Sequence, residues 1–369
     1  MRYPVMIVES DDWGAGPVET QASALNRLVD VLSHYQDQNG RHPVMTLALV
    51  LAVPDGPAIR RDGQYHRRLL DDLLFEPVRQ AIERGRAAGV FALQLHGLEH
   101  YWPAALLRAA ETDERVRAWL ASPSRTENLP SPLQSRWIDA STLPSRPLPE
   151  AEIQRATAEE VAVYERVLGQ SPRVVVPPTF VWDERVEMAW AARGVEFVVT
   201  PGLRNTCRDA DGQPSCAAGP IRNGERGKCV TYIVRNDYFE PEKGHTFVDG
   251  LAALRSRSEQ GRPCLLETHR SNFIGLEAEC SNAELHRLIA QALRKYPDLR
   301  FMSTLELGRA MRDHSPLLLE VRASRRLTAW VNRLTELPRF WKLGRLIGIA
   351  AVLCLIATKI KRDRRSQDQ

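Results

Sequence analysis

Residues Val44–Val53 are apolar at every position except Thr46, and the run stops at Pro54-Asp55-Gly56, a turn signal. A near-continuous apolar run of this length is expected of a parallel strand buried on both faces, which needs helices packed on its sheet. Shorter runs follow the same plan at Val5–Glu9, Val90–Leu95, Arg173–Val176, Val195–Thr200, Cys229–Val234, Cys264–Thr268 and Arg300–Ser303. Helical patterning fills the intervals at 17–37, 65–88, 104–120, 150–168, 183–193, 247–260 and 280–295. This alternation predicts an α/β fold with a mostly parallel sheet, closed as an irregular (β/α) barrel. The 369 residues suffice for one large domain with chain left over. The domain is expected over residues 1–318, followed by a C-terminal helical extension.

Two segments interrupt the alternation. Residues 121–149 are rich in Pro and Ser and predict a long loop or lid within the domain. Residues 201–228 are polar and Gly-rich and predict an inserted loop or hairpin. Beyond the domain, 319–340 reads as a helical linker with several basic residues. Residues 341–360 read as a membrane-associated helix, because Leu346–Thr358 carries no charge and Trp341 is placed to anchor at an interface. Residues 361–369 form a basic tail. The net charge is only +4, and much of the excess lies near this tail, so no nucleic-acid footprint is expected. Met1-Arg-Tyr-Pro-Val shows no secretory signal, and none of the six cysteines forms a CxxC pair. The expectation is a cytoplasmic protein with reduced thiols, attached to the inner face of a membrane by its C-terminal helix.

The strand ends carry the chemistry. The first run ends in Ser10-Asp11-Asp12-Trp13-Gly14, the third delivers His96-Gly97-Leu98-Glu99-His100, and a late one ends in Leu265-Leu266-Glu267-Thr268-His269. Barrel active sites gather at the C-terminal ends of strands. His96 and His100 share the i, i+4 spacing of one helical turn, which suits a single metal ion. Adjacent residues on a strand face opposite ways, so Asp11 and Asp12 serve one ion together only if the strand end turns. One carboxylate with two imidazoles makes a triad with open coordination positions, where zinc activates water or iron(II) activates oxygen.

These three motifs, in this order, resemble the polysaccharide deacetylase family, also called the NodB-homology or carbohydrate esterase 4 type, over roughly residues 5 to 305. Gly97 stands where that family has a Ser or Thr. The resemblance implies a glycoside hydrolase/deacetylase-type barrel with a divalent metal, zinc most readily, held by Asp12, His96 and His100. It implies Asp11 as general base and His269 as general acid. The family's base-orienting Arg has no clear match, since Arg173 is the only Arg near Val176-Pro177-Pro178-Thr179-Phe180; Arg235 or Arg270 is the expected substitute. Asp237 is the expected partner of the acid histidine. Trp13, Trp102, Phe180 and Trp182 are expected to line a sugar-stacking surface.

The implied activity is metal-dependent removal of acetyl groups from an N- or O-acetylated sugar; the expected C-terminal anchor, and not the resemblance, adds a lipid-linked glycan precursor as one expected substrate. The alternatives are an amidase on a non-sugar substrate, a carbohydrate-binding or scaffold protein without turnover, and an iron-dependent oxygenase. The oxygenase leaves Asp11 and His269 without a use.

Overall fold

Nine parallel strands form one sheet in the computed structural model, which describes residues 1–123, 128–217, 219–316 and 318–334, with 342, 343, 346 and 348. The strands are β1 (Val5–Gly14), β2 (Met45–Val50), β3 (Phe91–Leu95), β4 (Val174–Val175), β5 (Phe197–Thr200), β6 (Thr231–Val234), β7 (Asp237–Tyr238), β8 (Cys264–His269) and β9 (Arg300–Phe301). Their spatial order is β6-β5-β4-β3-β2-β1-β8-β7, and β9 pairs with the start of β1 through Val5 and Met6. The two edge strands, β6 and β7, are separated in the chain by only Arg235 and Asn236. The sheet is therefore curled until its edges nearly meet, and these two residues stitch the seam. The Arg235 amide donates to Thr200 O of β5 at 3.0 Å. The Asn236 side chain accepts from the Leu265 amide of β8 at 3.0 Å and donates to Pro263 O at 2.8 Å. The fold is the irregular (β/α) barrel expected from the alternation.

Strand alternation fills the barrel. Val5 and Ile7 of β1 point inward with Ala48, Val174, Phe197, Val199, Ile233 and Leu265, forming an apolar inner layer. Glu9 and Asp11 continue that same face toward the C-terminal end. Outside the sheet, helix Val18–Ser33 buries Ala24, Leu25, Leu28, Val29 and Leu32 on one stripe, beside helix Glu76–Ala87 with Val78, Ala81 and Ile82. Each such aliphatic side chain contributes about 1.5–3 kcal/mol on burial. Gly85 lets the second helix sit directly on β3: a Cβ there would lie 2.0 Å from the Phe91 ring.

Several sequence expectations change here. The first strand runs through Gly14 instead of ending at Glu9. Residues 65–88 are not one helix. A short strand, Arg67–Leu69, comes first, and the helix starts at Glu76 with Pro77 in its first turn, where the missing amide costs no hydrogen bond. The 104–120 helix is two, Pro103–Thr112 and Glu114–Ala121, because extended Asp113 ends one and caps the other. Ser281 and Asn282 do not start a helix but are buried inside Ala278–Lys295. Cys207 and Cys216 are not free thiols but a disulfide across a small hairpin, with Cα atoms 5.9 Å apart. The expected helix beyond the barrel is present as Ala323–Leu334. Among the described residues no helix is long and apolar enough to cross a membrane. The expected membrane helix at 341–360, four isolated positions apart, and the tail at 361–369 lie outside the described residues.

Candidate functional site

The first strand brings two adjacent carboxylates to one cleft through a bulge. Ser10 pairs with Leu47 and Trp13 with Leu49, so three steps along β1 oppose two along β2. Asp11 keeps the inward direction of Glu9, and Asp12 absorbs the extra residue with φ of 70°. That left-handed region is costly for most side chains and less so for Asp. The strand is then locked behind the bulge: the Gln21 amide accepts from Gly14 N at 2.8 Å and donates to Gly14 O at 3.0 Å.

Asp12 faces both imidazoles. Its Oδ1 lies 3.5 Å from His96 Nε2 and 3.6 Å from His100 Nε2, and this buried oxygen has no hydrogen-bond partner. The histidines do not lie on a helical turn. Residues 96–102 form a bent loop, and the two rings meet edge to face with centroids 4.9 Å apart. Gly97 allows the bend, with φ of 108° and a Cβ position that would fall 2.8 Å from Glu99 O. The residue that departs from the family pattern is therefore required by the backbone. His96 Nδ1–H donates to Val176 O at 2.7 Å, which turns Nε2 toward Asp12. Burial pulls His96 down in pKa, but Asp11 and Asp12 carry it above its ordinary value. Burial dominates at His100 and lowers it to about 4, leaving a neutral ring. Burial alone would raise Asp12; the imidazoles around it reverse the sign and hold it far below the carboxylate range.

The segment expected to be a long loop or lid helps to hold this loop. Residues 131–149 contain a short 3₁₀ turn, Ser131–Gln134, and a two-residue hairpin, Ile138–Asp139 with Arg146–Pro147. Arg136, 1% exposed, donates to Glu99 Oε2 at 2.6 Å and Glu160 Oε2 at 3.1 Å. Glu160 also accepts from the Leu98 amide at 3.3 Å and from Trp190 Nε1 at 2.6 Å. A buried cation thus fastens the segment to the loop that presents His100.

Asp11 stands in a different environment. Arg235, at the barrel seam, grips it with two hydrogen bonds of 2.6 Å and also donates to Glu9. The other Glu9 oxygen accepts from Thr304. Burial would raise Asp11, but the Arg235 guanidinium together with His96 and His269 outweighs it and keeps the carboxyl below its ordinary value. Phe180 lies over the Arg235 guanidinium, 5.9 Å from ring centre to carbon. It belongs to a tight turn in which Thr179 and Phe180 both have positive φ, of 53° and 55°. Such consecutive strained residues cluster at functional sites.

His269 ends β8, in register with Asp11. Its Nδ1 bonds Glu240 Oε1 at 2.5 Å, and Glu240 Oε2 accepts from Asn272 Nδ2 at 2.5 Å. Burial would lower His269, but the hydrogen bond to Glu240 and the charges of Asp11 and Asp12 lift it to about 9. The cleft that unites these groups has a volume of about 430 Å³ and is lined by Asp11, Asp12, His96, His100, Glu267 and His269 with Pro177, Thr179 and Phe180. A larger groove of about 1610 Å³ lies among Met1–Pro4 and helix Ala323–Leu334, and neither cluster of candidate ligand residues lines it. Size does not locate the chemistry here.

Some expected site residues lie elsewhere. Trp13 is fully buried, bonds Ser10 Oγ at 2.8 Å and stacks on Phe273, so it is core and not a sugar platform. Trp182 is equally buried, with Nε1 on Glu187 at 2.8 Å, and Trp102 packs against the core. Asp237 does not meet His269: it pairs with Arg257 at 2.7 Å, and Glu240 takes the expected place. Arg173 pairs with Glu196 and Gly194 at the periphery. Arg270 lies against Gly16 and does not line the cleft. Of the two expected substitutes, Arg235 is the one in contact with Asp11.

The donors fit a divalent ion. Two ligands about 2.1 Å from one ion at a tetrahedral angle stand ~3.4 Å apart, close to the observed 3.5 and 3.6 Å. The unpartnered Asp12 oxygen is the atom such an ion would satisfy.

No known family matches the chain, and no curated protein matches it in sequence. Solved structures do resemble it. The 4-alpha-glucanotransferase of Thermococcus litoralis shares 12% identity at a TM-score of 0.43, covering 83% of this chain and 40% of that one. The peptidoglycan deacetylase PdaC of Bacillus subtilis shares 11% at 0.40, covering 85% of this chain and 96% of that one. A family 4 carbohydrate esterase of Streptomyces lividans shares 10% at 0.37, covering 83% and 95%. The chain thus spans less than half the length of the glucanotransferase. Likenesses this distant assign neither an activity nor a residue role.

Proposed function

We propose that this chain is a metal-dependent hydrolase that removes an acetyl group from an N- or O-acetylated sugar or glycan precursor. The observation that carries it is the buried, unpartnered Asp12 oxygen facing two imidazole nitrogens, in one cleft with an Arg-held carboxylate and a Glu-held histidine. Asp12, His96 and His100 would hold a divalent ion, zinc most readily with this nitrogen and oxygen set. When bound, such an ion lowers the pKa of a coordinated water and polarises the carbonyl to be attacked.

Asp11 takes a proton from the attacking water. Arg235 fixes the carboxylate plane, keeps it ionised, and leaves lone pairs on both oxygens for this role. His269, charged at neutral pH and oriented through Nδ1 by Glu240, presents Nε2–H to the leaving nitrogen or oxygen. The carbonyl carbon gains a C–O bond, the C–N or C–O bond to the sugar breaks, and acetate and the protonated leaving group depart.

One observation favours a second reading, an amidase on a non-sugar substrate. Phe180 is the only aromatic residue lining the cleft among the described residues, and it is occupied with Arg235. A sugar would find little to stack on. A panel of acetylated sugars and acylated amines, assayed for acid release by metal-loaded protein, separates the two. No release from any of them, with a full equivalent of metal bound, would leave the scaffold reading in place. Attachment to the inner face of a membrane through 341–360 is a separate proposal, and the disulfide at Cys207–Cys216 weighs against the reducing compartment it assumes. Fractionation of the full chain beside one ending at Leu334 tests it: both in the soluble fraction would end the idea.

A further inference from the structure

Beside the metal-facing Asp12, Glu267 is the second cleft carboxylate with a buried, unpartnered oxygen. It lies on β8 two residues before His269, so both side chains face the barrel interior. It is 5% exposed, and its Oε2 is buried without a hydrogen-bond partner. Its Oε1 lies 3.5 Å from Arg235 Nη1 and 3.8 Å from His269 Nε2, contacts too long for hydrogen bonds. Arg235 is already committed: Nη1 and Nη2 to Asp11, Nε to Glu9. Glu9, Asp11 and Glu267 thus surround one guanidinium, and Glu267 is the least compensated of the three: burial and the charges of Asp11 and Glu9 raise its pKa, so its ionised form lacks a cation of its own. Lys243, the other fixed cation on the cleft wall, makes no ion pair with it among the described residues. A buried carboxylate oxygen without a donor in its own chain calls for a partner from outside it, a water, an ion or a ligand.

We infer that Glu267 determines specificity by accepting a charge-assisted hydrogen bond from a cationic amine on the leaving-group side of the substrate. The side is fixed by geometry: the carboxylate lies next to His269 Nε2, the proton donor to the departing atom. This assignment of sides rests on the hydrolase reading. The substrate class is therefore an acyl compound that also bears a free amine near the scissile bond, such as an amino-sugar chain already partly deacylated. A surplus carboxylate favours an ammonium over a neutral hydroxyl, because hydrogen bonds between ionised partners are about twice as strong.

Binding tests this without turnover. Metal-loaded, full-length protein is titrated calorimetrically with the glucosamine disaccharide, amines protonated, and with cellobiose, which has hydroxyls in their place. The expected result is about tenfold tighter binding of the diamine, a preference abolished in the isosteric Glu267→Gln and weakened in Glu267→Asp. Equal affinities in the wild type overturn the inference, whatever the variants do. So does a preference that survives Glu267→Gln, or a second equivalent of metal that Glu267→Gln loses, which would make the carboxylate a ligand. Diamine binding through Glu267 in a protein that releases no acid would keep the amine contact at Glu267 and sink the hydrolase reading, and with it the assignment of sides.

Discussion

At one end of the cleft, Asp12 meets two imidazoles and keeps an oxygen with no partner. At the other, Asp11 gives both oxygens to Arg235, which also serves Glu9, and His269 is held by Glu240. The two ends come from neighbouring residues of one strand, and a single bulge separates them. One end lacks a charge that the protein does not supply. The other supplies its own charges and uses them to fix where protons sit. The difference teaches that neighbouring carboxylates acquire different chemistry through what their surroundings leave unsatisfied.

The sharpest way to break this comparison is to remove an imidazole. His100→Ala is expected to lose the single equivalent of divalent metal, read by elemental analysis, and all measurable acid release. Retention of metal would show that the open end is not a metal centre. Asp11→Asn should instead keep the metal while activity drops by about 10²–10⁴-fold. An equal loss of metal in both variants would merge the two ends into one site.

Arg136→Met probes the support from outside the cleft. It leaves Glu160 buried without its cation and Glu99 with Arg67 alone, which costs about 3–5 kcal/mol of stability by denaturant titration. A change below 1 kcal/mol by the same titration would mean that the clamp is not held as the structure shows.

The closed end also sets a pH dependence. His269 has a folded pKa raised to about 9 from an ordinary value of 6.5. Its protonated form is therefore favoured by folding: this stabilisation is complete below 6.5 and is lost as pH rises through 9. Stability and acid-assisted turnover should both fall on that alkaline side, and Glu240→Gln should move the fall to lower pH and slow turnover by about 10–100-fold. A bound dication opposes the imidazolium, so NMR titration should place His269 lower in metal-loaded than in metal-free protein. No difference between the two would separate the ends of the cleft electrostatically. The smallest effect is expected from ending the chain at Leu334, which should change neither metal content nor turnover.

How much of this was legible in the sequence follows from where each signal resides. Period and run length announced the barrel, because parallel strands must be apolar on both faces. Asp11, Asp12, His96 and His269 could be singled out because they lie at the C-terminal ends of apolar runs, and His100 by its spacing from His96. Their shared cleft depends on things a linear reading does not show: a bulge at Asp12, a positive φ at Gly97, and a non-helical 96–102 loop where i, i+4 spacing suggested a turn. Glu240 was passed over for Asp237, three residues earlier, because nothing in Asp237–Glu240 tells which acid turns toward β8. Glu9 did leave a mark, an acid directly after Met6-Ile7-Val8, and its meaning emerged only with Arg235, more than two hundred residues away. Arg136 sits in a Pro- and Ser-rich stretch that composition marks as loop, and composition does not reveal a buried anchor.

The register of β1 has a consequence for how the molecule is made. Its partner on one flank, β2, leaves the ribosome soon after it, but on the other flank Met6 must wait for Cys264 and Val5 for Arg300. At roughly 5–20 residues per second that interval is on the order of tens of seconds. Throughout it, the strand bearing both aspartates presents an edge of unpaired N–H and C=O groups, with apolar side chains on its faces, to everything around it. A chaperone that shields nascent chains would find its first client surface there.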